Sequence, residues 1–253
     1  MKPFELLGQQ LAPDRTLLKL TRRGDEYQIL ADNQILMSSR MHGSEEALAT
    51  LACQRARELT RPNILIGGLG MGFTLRAALD QLPRDATVVV AELLPAVVEW
   101  NRGPLGPLAA HPLYDPRVRV EIVDVAAILH AGRNQFDAIL LDVDNGPAAF
   151  TAPQNAALYD ASGLATTHAA LKSNGTLAVW SARDDAQFVH HLQQSNFTVN
   201  VEHVRAHAAD THAANRATTR TANPATSLAT TKKGRNRGPR HTIFLAHKSP
   251  IPR

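Results

Sequence analysis

Ile64-Leu65-Ile66-Gly67-Gly68-Leu69-Gly70-Met71-Gly72-Phe73-Thr74 is the stretch on which the fold turns: a short apolar strand runs into glycines and then into a helix. Glycine lets the backbone bend sharply and lets a ligand come close, while the start of the following helix presents unpaired amides. Dinucleotide-binding proteins use G-x-G-x-x-G, in which that helix end meets a pyrophosphate. Counted from Gly68, the pattern here is G-x-G-x-G, and the third dinucleotide glycine falls on Phe73. The spacing favours a nucleoside ligand without a pyrophosphate over NAD.

Working outward, the strand–helix unit repeats. Strands are predicted at Asn63–Ile66, Thr87–Ala91, Arg117–Val123, Phe136–Leu141, Thr176–Trp180 and Phe197–Val204. Between them, helical spacing of apolar residues predicts helices at Thr74–Leu82, from Pro95 to Trp100, and at Val125–His130, Ala156–Leu171 and Asp184–Ser195. This alternation predicts an α/β fold, Rossmann-like and doubly wound, with a mostly parallel seven-stranded sheet. The last strand, His241–His247, follows its predecessor with no helix between, so it is expected to be antiparallel, forming a pair at one sheet edge. Upstream, TLLKLTRR and EYQILAD flank Gly24-Asp25 and predict a β-hairpin, followed by QILMSS and a helix from Ser44 through Arg57 with carboxylates in its first turn. The chain divides accordingly into a small N-terminal β-hairpin element and helix, 1–60, and a Rossmann-like domain, 61–253.

A chain of 253 residues with 44% hydrophobic and 20% charged residues suits one sizeable folded core rather than global disorder. Its apolar runs break well short of the roughly 20 residues needed to cross a bilayer, and the first residues lack the apolar run of a secretory leader. Cys53 is the single cysteine, which fits a reducing, cytoplasmic setting, and its neighbours EEALATLACQRA make it a small apolar helix residue. The net charge of +4 arises in one place: between His203 and Arg240 there are eight Lys or Arg against Asp210 alone. The segment from about 207 to 239 is too poor in large apolar groups to offset its ordering entropy. We read it as a flexible, solvated basic loop, with nucleic-acid phosphates as the alternative partner. His203, His207 and His212 have no cysteine or acid beside them, and we read them as solvated rather than as zinc ligands; no metal is expected.

Carboxylates recur where the predicted strands end. Glu92 follows TVVVA directly, placed to accept from ribose hydroxyls, and Asp124 follows RVRVEIV, placed to accept from an adenine amino group. Asp142 and Asp144 follow FDAILL and open onto the crevice at the carboxyl ends of the sheet, where ligands bind in such folds. Each has a plain structural reading as well: Asp124 as a helix cap, and Asp144 to Pro147 as a turn.

Together, ILIGGLGMGFTLRAAL, Glu92 with LLPAVVEW, DPRVRVEIVD ending at Asp124, and FDAILLDVDNGP followed by ALYDASGL resemble the spermidine synthase family of aminopropyltransferases. The resemblance covers about residues 63–180. It implies a cytoplasmic homodimeric transferase that takes decarboxylated S-adenosylmethionine and a small-molecule amine. Gly68, Gly70 and Gly72 would line the methionine-derived part of the donor, Glu92 the ribose and Asp124 the adenine. Asp142 would receive the proton of the attacking amine, with Asp144 as the neighbouring acid. Three positions depart from the family. Gly70 stands where an acid usually contacts the donor amine, the family's Tyr-His pair falls at about Ser44-Glu45, and the acid spacing after Asp142 is shortened. A methyltransferase using intact S-adenosylmethionine, and a non-catalytic member with a nucleic-acid-binding loop, are the other functions this sequence admits.

Overall fold

The computed structural model describes residues 3–143, 156–206 and 238–249. It opens with four antiparallel strands in sequential order: β1 (Glu5–Leu11), β2 (Leu17–Arg23), β3 (Glu26–Ala31) and β4 (Gln34–Ser38). The predicted hairpin is the β2–β3 pair, turning at Gly24 with φ +61°. β1 has no sequence signal of its own, because ELLGQQL does not alternate. It pairs with β2 through a register shift between Leu6 and Gly8. Gly8 is required there by packing, since a Cβ would sit 2.6 Å from the Trp100 indole nitrogen.

Helix α1 (Gly43–Ala52) stops five residues short of the predicted end, and a single 3-10 turn follows at Ala56–Glu58. Then come β5 (Asn63–Gly67), α2 (Phe73–Gln81), β6 (Thr87–Ala91), α3 (Pro95–Arg102), β7 (Val118–Glu121), α4 (Val125–Ala131) and β8 (Phe136–Leu141). The chain continues with α5 (Ala156–Tyr159), α6 (Ala161–Ala170), β9 (Leu171–Ser181), α7 (Ala186–Gln194), β10 (Phe197–Arg205) and β11 (Arg240–Lys248). The single helix predicted over Ala156–Leu171 is two, because Asp160 caps the second by accepting from the Gly163 amide at 2.8 Å. β9 begins earlier than predicted. The turn at Asn174-Gly175 is a bulge inside the strand, with Asn174 at φ +65°.

The seven-stranded sheet runs β10-β11-β9-β8-β5-β6-β7. β9, β8, β5, β6 and β7 are mutually parallel, and β11 is antiparallel to both β9 and β10, which realises the predicted antiparallel pair at one edge. Successive strand residues face opposite sides, so both sides must be covered. Ile64 and Ile66 pack with Leu48 of α1, Leu75 and Leu79 of α2 and Val98 of α3, in a core that also includes Leu18, Leu20 and Ile29 of the small sheet. Leu65 faces the other way, into Leu129 of α4, Leu164 of α6, Phe188 and Leu192 of α7. Cys53 is fully buried, and burial pushes its thiol up to about 12, so it behaves as the small apolar residue expected. No described helix is long and apolar enough to cross a membrane.

Arg117 ties the start of β7 to the turn after α2. Its guanidinium makes two hydrogen bonds to Asp115, at 2.8 and 2.9 Å, and one to the Leu82 carbonyl at 2.9 Å. The guanidinium holds the Asp115 carboxyl below the usual range. A lowered folded-state value means the stabilisation is present above the unfolded value and lost as pH falls through the folded one. Asp115→Asn should therefore cost about 1.5–3 kcal/mol in denaturant unfolding at pH 7. The gap from the parent should close as pH drops below about 4; a gap independent of pH contradicts this role.

Candidate active site

The parallel register levels the strand ends. Gly67 lies opposite Ala91 and Leu141, and Ala91 opposite Glu121. The chain therefore leaves the sheet side by side at Gly68, Glu92 and Asp142. Gly68, Gly70 and Gly72 have φ of +89°, +52° and +85°, the left-handed region that favours glycine. At Gly68 the constraint is also steric, since a Cβ would meet the Asp142 carbonyl oxygen at 2.5 Å. Gly72 is the residue before α2, so the turn delivers the chain directly into a helix N-terminus.

Two side chains hold the turn in shape. Glu92 is buried, and its Oε2 accepts from the Leu69 amide while Oε1 accepts from the Leu94 amide, both at 2.9 Å. Its carboxylate thus links the glycine turn to the approach of α3. From α3 itself, Asn101 donates through Nδ2 to the Gly70 carbonyl at 2.8 Å. Neither sequence spacing nor composition pointed to Asn101.

Asp142 is half-buried. Its amide donates to the Gly67 carbonyl at 3.0 Å, and its Oδ2 accepts from the Thr74 hydroxyl at 2.7 Å. Burial pushes its carboxyl up, opposed by that hydrogen bond. Near it lies an acid that the sequence reading passed over. Glu45, in the first turn of α1, is buried, and burial with the charge of Asp142 pushes it up to about 7. The signal was present in the sequence: Glu45, Leu48, Ala49 and Ala52 follow i, i+3, i+4, i+7, so an acid lies on the apolar face of its helix, and all four are buried. Glu46, its neighbour, turns outward and meets His42 Nδ1 at 2.9 Å.

Asp124 is exposed and caps α4, accepting from the Ala126 amide at 2.9 Å. β7 ends at Glu121, where its pairing with β6 ends, so Ile122 and Val123 lie beyond the sheet instead of in the predicted strand. With Leu93 they are exposed apolar residues at the same strand ends as Glu92 and Asp124. Such a grouping offers flat apolar surface beside polar acceptors.

At Gly70 a Cβ would meet Met37 Cε at 2.7 Å and its sulfur at 3.0 Å. The thioether of β4 therefore fills the space that a side chain at position 70 would need. Asp144 lies outside the described residues, as do His207, His212 and the basic segment up to residue 237. His203 faces Asp184 at 3.4 Å. Among the described residues no group of three or more His, Cys, Asp or Glu is placed to hold a metal ion.

No family model matches the chain. Polyamine aminopropyltransferases of Mycobacterium tuberculosis (strain ATCC 25618 / H37Rv) and Mycobacterium bovis (strain ATCC BAA-935 / AF2122/97) are each 32% identical to it over 130 residues. The match takes in 49% of this chain and 24% of each relative, so it spans about a quarter of their length. Among solved structures, spermidine synthase from Thermotoga maritima superposes with a TM-score of 0.66 at 17% identity, covering 97% of this chain and 74% of that one. A spermidine synthase in complex with the transition state analogue AdoDATO gives 0.65 at 16% identity, covering 97% and 73%. The resemblance read from the sequence is borne out to this extent: about half of the chain is similar in sequence to polyamine aminopropyltransferases, and its fold is similar to that of solved spermidine synthases.

Proposed function

We propose that the chain is a spermidine synthase-like transferase, moving an aminopropyl or related alkyl group from an S-adenosylmethionine-type sulfonium donor to an amine. The observation that carries this reading is the shielded carboxyl of Asp142 placed against the glycine turn, with a second buried acid acting on it. An ammonium ion has no lone pair and cannot attack the carbon next to a sulfonium. Asp142 attracts the cation, takes one proton, and frees the amine to form its new C–N bond as the C–S bond breaks. The sulfonium leaves readily, so alignment of the two reactants supplies much of the acceleration.

The donor in this reading lies along the strand ends. Glu92 receives the ribose hydroxyls, Asp124 the adenine amino group, and Leu93, Ile122 and Val123 the faces of the base. Gly68, Gly70 and Gly72 let the methionine-derived tail pass close to backbone. The acceptor is a small-molecule amine. A homodimer and a cytoplasmic setting belong to the same reading, by family resemblance. Asp144 is kept as the neighbouring acid of the site.

Met37 favours one further possibility for the donor. The relatives' acid at the position of Gly70 is missing, and the thioether occupies its space. Intact S-adenosylmethionine, with methyl transfer as the chemistry, is therefore the second reading. Calorimetry with carboxylated and decarboxylated donors separates the two, and the product confirms the choice: methylthioadenosine for aminopropyl transfer, S-adenosylhomocysteine for methyl transfer. Neither donor binding would contradict both.

Two variants test the assigned parts. Asp142→Asn should leave donor affinity unchanged and lower turnover by about 10²-fold or more; equal turnover removes Asp142 as the base. Gly68→Ala forces a Cβ against a backbone oxygen at positive φ. It should abolish donor binding and lower the Tm, whereas parental affinity would show that the turn does not seat the donor.

A further inference from the structure

A line of hydrogen bonds leads away from the acid pair. Glu45 Oε2 lies 2.6 Å from the Ser44 hydroxyl, and that hydroxyl lies 2.9 Å from His241 Nδ1, on β11. Ser44 is fully buried, so these partners, not solvent, satisfy it. His241 is half-buried, its ring edge-on to Trp180 with centroids 4.7 Å apart.

A hydroxyl that both donates and accepts gives this line two directions. With Glu45 ionised, Ser44 donates to Glu45 and the Nδ1–H of His241 donates to Ser44. With Glu45 protonated, Glu45 donates to Ser44 and Ser44 donates to a bare Nδ1. Passing from the second arrangement to the first moves one proton from Glu45 to the imidazole without either carboxyl leaving its place.

We propose that Glu45, Ser44 and His241 are the proton exit of the site, carrying outward the equivalent of the proton that Asp142 takes from the acceptor amine. The inference rests on the transfer reading above. In the resting site the pair holds one proton, on Glu45, and Asp142 is ionised. The ammonium gives its proton to Asp142, and the neutral amine forms the C–N bond and becomes the product ammonium. Protonated Asp142 no longer repels charge on Glu45, so Glu45 becomes the stronger acid. Its proton passes to Ser44 as the proton of Ser44 passes to Nδ1, and the imidazole releases a proton from Nε2 to solvent. One proton has entered from the amine and one has left; the site resets when the proton left on Asp142 passes to Glu45 and the imidazole exchanges its Nδ1 proton for one on Nε2 through solvent.

The surroundings suit this traffic. Burial and the Asp142 charge, with a smaller push from Glu46 on the same helix, bring Glu45 to about 7, where it exchanges protons near neutrality. Burial pulls His241 down, so the imidazolium is short-lived. Several charged groups on neighbouring elements have partners of their own. Arg76 of α2 is held by Asp80, His203 of β10 faces Asp184, Arg205 donates to the Gly238 carbonyl, Lys172 of β9 pairs with Asp137, and His42 with Glu46.

The test follows the Glu45 carboxyl by ¹³C NMR in the full chain labelled at glutamate carboxyls, alongside pH–rate profiles. The signal absent from Glu45→Gln should titrate near pH 7 in the parent, lower in Asp142→Asn and higher in Ser44→Ala. Glu45→Gln should remove that ionisation from the rate profile. Ser44→Ala should slow turnover about tenfold, less than loss of a direct acid–base group, and Ser44→Thr, which keeps the hydroxyl, should restore it. Titration of Glu45 in the ordinary carboxylate range, an unchanged rate profile in Glu45→Gln, or full turnover in Ser44→Ala would each overturn the exit. A chain inactive with every donor and amine, yet with the coupled titration intact, would overturn the transfer reading and the exit with it, leaving only the acid pair.

Discussion

The backbone at the end of β5 passes so close to the end of β8 that nothing larger than a hydrogen fits on the Gly68 Cα: the Asp142 carbonyl would lie 2.5 Å from any Cβ. That approach brings the start of Asp142 alongside the glycine turn, and the register of four parallel strands brings Glu92 level with both. A side chain at position 68 would push the strand ends apart or forbid the φ of +89° that sends the chain across them. The proposed donor seat and the proposed base are thus positioned by the same bend. Glu92 closes it from the other side by accepting the amide of Leu69 within the turn.

Two shielded carboxyls that act on each other are costly to ionise together, and their proton affinities rise in response. A protein that only needed to fold would gain by replacing one of them with an apolar residue of similar size. Retaining both fits a site that must attract a cation and then take one of its protons. α1 supplies the second acid because it packs across β8, β9, β10 and β11, with Glu45 in its buried first turn feeling the charge of Asp142.

Much of the architecture was readable because periodicity and turn chemistry are local. The parallel strands, the glycine turn and the antiparallel final pair followed from patterns within a few residues of each other. Where the reading failed, the deciding contact was remote. β1 is a strand because β2 pairs with it and Trp100 covers Gly8, and β7 ends early, at Glu121, where its register with β6 ends opposite Ala91. The same distinction divides the site. Gly68, Glu92 and Asp142 lie at strand ends visible in the sequence. Met37 and Asn101 reach the glycine turn, and His241 the acid pair, from elements far away in the chain. Glu45 lies between the two cases: its helical spacing placed it on an apolar face, while only the packing of α1 showed what it faces.

The most direct test of the whole account is a crystal structure of the chain with methylthioadenosine, the nucleoside product common to aminopropyl donors. The account expects ribose hydroxyls on Glu92, the base between the ends of β6 and β7, and the thioether sulfur turned toward Asp142 across the glycine turn. A nucleoside bound elsewhere, or lying with its sulfur away from Asp142, would contradict it.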